Sequence, residues 1–125
     1  MLIVIGFYYS IGLADNQSVD FAEPKSGEVL TSPFKVKFVV NGMQVTPAGG
    51  LSSNTGHHHL LINAESIESG KVIPADERHI HFGKGQTETT LNLPSGQYKL
   101  TLQFANGLHE SYGTGMSKTI EVVVR

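Results

Sequence analysis

A chain of 125 residues with 39% hydrophobic and 16% charged residues is long enough to bury one core and too apolar for a disordered segment. A net charge of −2, with no run of Lys or Arg, excludes the electrostatic footprint of a nucleic-acid binder. The absence of cysteine excludes disulfides, thiolate catalysis, zinc fingers and iron–sulfur clusters, so any metal site must use nitrogen, oxygen or thioether ligands.

Residues 1–14, MLIVIGFYYSIGLA, are apolar throughout and too short to span a bilayer. Gly12 and Ala14 fall at the small-residue positions of a cleavage site before Asp15, although a basic start is missing. The segment is expected to be an export signal. The mature domain, 15–125, would then be periplasmic or secreted, without a membrane span. The alternative for the same run is a buried first strand.

From Asp20 onward the chain reads as short strands between turn signals. Phe34, Val36, Phe38 and Val40 alternate with polar or exposed positions and predict a half-buried strand that ends at Asn41-Gly42. A Gly-, Ser- and Pro-containing loop, Met43 to Thr55, leads into a strand from His58 to Asn63. An irregular stretch, Ala64 to Lys84, precedes a strand from Thr87 to Leu93 and the turn Pro94-Ser95-Gly96. Tyr98, Leu100, Leu102 and Phe104 line one face of the clearest strand. After the loop from Leu108 to Met116, the last strand buries Ile120, Val122 and Val124. No segment has helical periodicity.

The six histidines are His57, His58 and His59, then His79 and His81, then His109. If successive strands run antiparallel, loops alternate between two ends of a sandwich, and all six map to one end. Residues i and i+2 share a strand face, so His57 joins His59 and His79 joins His81, while His58 points toward the core. Two His-x-His pairs and a loop histidine offer a nitrogen set for a transition metal: His57, His59, His79, His81 and His109. Copper is favoured by the affinity order, and zinc is the alternative. Met43 and Met116 fall at the same end and read as core caps that fill irregular gaps, with thioether ligation as the alternative. The competing reading is a hydrogen-bond network in which histidines brace the loops around a docking surface for a protein partner. Clustered imidazoles also suit a pH sensor.

Catalytic signatures are absent: there is no Gly-x-Ser-x-Gly elbow and no His-Glu-x-x-His motif. Phe82-Gly83-Lys84-Gly85-Gln86-Thr87 lacks the order of a phosphate loop and reads as a glycine turn with Lys84 solvated. Asp76 and Glu77 lie near His79 and read as exposed loop carboxylates, with orientation of an imidazole as the alternative. The expected function is metal binding without turnover. A small metal-dependent oxidase or oxygenase is a weaker alternative.

Several motifs carry a family resemblance: Phe21-Ala22-Glu23-Pro24, Gly42-Met43-Gln44-Val45-Thr46-Pro47-Ala48-Gly49, Gly56-His57-His58-His59-Leu60-Leu61-Ile62, Ile73-Pro74, His79-Ile80-His81-Phe82-Gly83-Lys84-Gly85-Gln86-Thr87-Glu88, and the His109 loop. Through them the chain resembles the bacterial domain of unknown function 4399 family. The resemblance implies an exported, immunoglobulin-like domain and no particular activity. Tyr98 and Asn63 stand where His and Asp are expected in relatives, which implies that position 98 is not an essential ligand. A looser likeness to exported β-sandwich modules with a Gly-His-x-His-Leu motif points to His57, His59 and His109. The expected architecture is therefore all-β: an immunoglobulin-like antiparallel β-sandwich of about seven strands.

Overall fold

The computed structural model describes residues 16–125. The export signal expected over residues 1–14, and the start at Asp15, lie outside the described residues. Apolar residues at alternate positions of most strands build two facing sheets. The smaller has the order β1-β3-β7, from β1 (Ser18–Glu23), β3 (Phe34–Asn41) and β7 (Glu88–Leu91). The larger has the order β2-β9-β8-β5-β4, from β2 (Val29–Leu30), β9 (Ser117–Val124), β8 (Gly96–Ala105), β5 (Thr55–Ile62) and β4 (Gln44–Val45). A short strand, β6 (His79–His81), pairs with β5.

The pairing is antiparallel except at two short margins, where β2 runs parallel to β9 and β4 parallel to β5. Sequence patterning misses β2, β4 and β6, which are too short for a period-two signal. One turn of 3-10 helix, Thr114–Met116, precedes β9.

The core lies between the sheets. Phe21, Val36 and Phe38 of the smaller sheet meet Leu60, Leu100, Leu102, Phe104, Ile120 and Val122 of the larger. Met116 is buried in this cluster and Met43 packs against it, so both methionines fill gaps in the core.

The far side of the larger sheet is also covered. On that face His57, His59 and Leu61 of β5 and Thr101, Gln103 and Ala105 of β8 are all buried. Residues 63–78 and 106–113 supply the cover. Gln103 holds both segments: its Oε1 accepts from the Ile67 N–H at 3.0 Å, and its Nε2 donates to the Gly113 carbonyl at 2.9 Å. The Ser111 hydroxyl donates to the Ile67 carbonyl at 2.7 Å, and Ile73 is buried beneath the cover. This second layer explains why β5 is buried at nearly every position rather than at alternate ones.

Candidate metal centre

The centre is built from the register of β5. His59 lies opposite His81 of β6 on one side and Gln103 of β8 on the other. His57 lies opposite Ala105, the last residue of β8, where the chain leaves for the turn that carries His109. His57 and His59 share the outer face, as residues i and i+2 must. The cluster therefore sits on the outer face of the larger sheet, toward one end, with loop cover at its flank.

His109 is delivered by a tight turn. The Asn106 side-chain oxygen accepts from the N–H groups of Leu108 and Glu110, and the His109 N–H donates to the Asn106 carbonyl at 2.9 Å. Its carbonyl accepts from the Ile73 N–H at 2.9 Å, which ties the turn to the other covering segment. His109 has φ 66°, the left-handed region that costs a non-glycine residue about 1 kcal/mol or more. Gly107 permits the turn, because a Cβ there would collide with the Gly50 carbonyl oxygen. His81 depends on a glycine as well: a Cβ at Gly83 would run into its ring.

Four imidazoles converge. One ring nitrogen from each of His57, His59, His81 and His109 lies within 4.8 Å of all the others. Ring centroids are 4.5 Å apart for His81 and His109, 4.8 Å for His57 and His59, and 5.9 Å for the widest pair, His59 and His109. His57 Nε2 and His109 Nδ1 are 3.1 Å apart. Nitrogens bound to one ion at about 2.0–2.1 Å in tetrahedral geometry are roughly 3.3 Å apart. The closest pair is thus already at a shared-ion spacing, and the wider ones need side-chain adjustments of about an ångström. Among the described residues no carboxylate belongs to the group.

Burial and mutual repulsion lower the pKa of His57, His59 and His81 and so favour their neutral form. Desolvation, followed by the neighbouring His81 and His109, lowers the pKa of His57 to about 4. Desolvation and then the surrounding histidines, His57 first, lower His59 to about 3. His81 is lowered by burial and then by His109. Neutral imidazole is the form that donates a lone pair to a metal. The Nδ1 atoms of His57 and His59 are buried without a hydrogen-bond partner.

The other two histidines do different things. His58 points between the sheets, its ring 5.0 Å from those of Phe38 and Phe104, with both nitrogens unpartnered. Desolvation and then His57 lower its pKa to about 4. His79 shares the outer face but lies opposite Leu61, two pairs along from His81. Its Nδ1 donates to Asp76 Oδ1 at 2.6 Å, and it is not part of the converging group. That bond, with a second from the Arg78 N–H, holds the Asp76 carboxyl below its usual range. Asp76 thus orients a histidine, but one outside the cluster.

Residues 82–86 form a turn, in which the Gly85 N–H donates to the Phe82 carbonyl and the Lys84 N–H to Gln86 Oε1. Tyr98 packs against the core and donates to the Pro94 carbonyl, far along β8 from the cluster. It lines a surface pocket of about 560 Å³ together with Asn63. Sequence reasoning missed Gln103, Gly83 and Asn106 as positioning residues. The spacing His81-x-Gly83 and the Asn106-Gly107 pair were visible signals. Gln103 had none, since a polar residue in an alternating strand reads as solvent-facing.

A β-sandwich with an all-imidazole cluster on one sheet face is the class of protein these observations define. The chain belongs to the family described as Domain of unknown function (DUF4399), whose pattern it matches over residues 36–125. In fold it is similar to part of the endo-beta-1,4-mannanase from Thermotoga petrophila, with a TM-score of 0.52 and 16% identity. The match covers 87% of this chain and 20% of that one. At this identity the likeness concerns the fold alone, and the chain spans about a fifth of that enzyme's length. A search of curated proteins returned no match. Among the described residues no helix is long and apolar enough to cross a membrane.

Proposed function

We propose that this protein is an exported domain that binds a transition-metal ion through His57, His59, His81 and His109 and handles it without turnover. The observation that carries this reading is the convergence of four imidazoles, without a carboxylate, within 4.8 Å. Burying unpaired polar nitrogens costs free energy, and a cation shared by four lone pairs offsets that cost. Copper is favoured because an all-nitrogen set of this kind binds Cu(II) most tightly along the divalent series, and zinc is the alternative because imidazole suits it as well. Export is supported by the apolar run that ends in Gly12 and Ala14.

The bracing alternative requires histidine nitrogens bonded to loop backbone. Within the cluster the one polar contact is between two histidines, His57 and His109. Loop anchoring falls instead to Gln103, Ser111 and Asn106.

The test is metal titration of protein made without a histidine tag. Wild type should bind one equivalent of Cu(II) or Zn(II) at neutral pH, and His59→Ala should lose most of that binding. Elemental analysis of protein from its native compartment then identifies the ion. A wild type that binds none of Cu(II), Zn(II) and Ni(II) ends this proposal.

A further inference from the structure

The four imidazoles are unequal in access and in support. His57 and His59 form a floor with 0% and 2% exposure. His109 is partly exposed, but its backbone is tied at both N–H and carbonyl, and its Nδ1 lies 3.1 Å from His57 Nε2. His81 is the exposed member. It ends a three-residue marginal strand, and its ring has room only because residue 83 is glycine.

We infer that the proposed centre is asymmetric: His57, His59 and His109 anchor the ion, and His81 is an exchangeable rim ligand whose position a small nitrogen donor from solvent can take. This rests on the metal-binding reading above. The ion lies against buried rings on one side and faces solvent on the other, so an incoming donor approaches beside His81. A ligand substitution of this kind breaks one metal–nitrogen bond and forms another, without electron transfer. It is the step by which a bound ion passes to another molecule, and a closed four-ligand structural site resists it.

Chemical rescue tests the inference, with free imidazole and azide as probes and Cu(II) as the metal. His81→Ala should still bind Cu(II), more weakly than wild type, and added imidazole should recover most of the lost affinity. His59→Ala should show no such recovery, because solvent has no path to its position. Azide added to Cu(II)-loaded His81→Ala should produce a charge-transfer absorption band. Three results would overturn the inference: equal rescue of both variants, loss of all Cu(II) binding in His81→Ala that imidazole does not restore, or a loaded variant silent to azide. A wild type that binds no Cu(II) refutes the underlying metal reading and this inference with it. Stoichiometric binding by wild type with failed rescue refutes the inference alone.

Discussion

Two histidines show how local cost and function separate at single positions. His109 stands at φ 66° because the Asn106 turn aims its ring at His57. Glycine adopts that conformation freely, whereas alanine keeps the steric penalty. Metal-free His109→Gly should therefore be more stable than His109→Ala by about 1 kcal/mol, while neither variant gains stability from added metal. Equal stability of the two in denaturant melts would mean that the turn carries no strain. His58 presents the opposite case: a ring buried among phenylalanines with both nitrogens unpartnered. Replacing it by an apolar side chain of similar volume removes the desolvation cost. His58→Leu should raise stability by about 1–3 kcal/mol and leave metal affinity unchanged. A destabilised variant would indicate that those nitrogens have partners in solution.

At the scale of elements, Gln103 joins the sheet to both covering segments, and truncating it leaves the Ile67 N–H and the Gly113 carbonyl unpaired. Gln103→Ala should cost about 2–4 kcal/mol in denaturant melts and weaken metal binding, because the His109 turn loosens with its anchor. Unchanged affinity would mean that the turn holds its shape without that anchor. Strands β3, β8 and β9 were legible in the sequence because one face of each is buried and the other is not, so period two survives. The pairing of His57 with His59, and the separation of His58 from them, followed from the same alternation. What alternation hides is a second buried layer. Thr101 and Gln103 read as solvent-facing but lie under loops, and no local pattern marks a loop that folds back over a sheet. His79 illustrates a different limit. Its spacing matches His81, but β6 sets it opposite Leu61, where Asp76 is its nearest polar partner. The cluster was readable from sequence as a set of residue types. Its membership depended on strand register, which is set by long-range pairing.

For the whole molecule, the three buried histidines of β5 link stability to pH. The pKa values of His57, His58 and His59 lie near 4, 4 and 3 in the folded state, against 6.5 in the unfolded chain. The unfolded state therefore binds more protons in this range, and stability rises with pH. This contribution is fully present above about pH 6.5 and is lost as pH falls toward 4–3. Each pH unit that separates a ring's folded and unfolded pKa corresponds to about 1.4 kcal/mol. The metal-free protein should unfold on acidification within that window, and bound metal should lower the midpoint, because the ion competes with protons for the same nitrogens. The most direct measurement is the melting temperature at neutral pH of wild type, His59→Ala and His109→Ala, each with and without Cu(II) or Zn(II). An ion at a hundredfold excess over its Kd adds about 2.7 kcal/mol to a folded state that alone binds it. The expected result is a metal-dependent rise in wild type that is absent from both variants. A wild type whose melting is indifferent to these metals, or variants that keep the full increment, would contradict a metal centre formed by these four histidines.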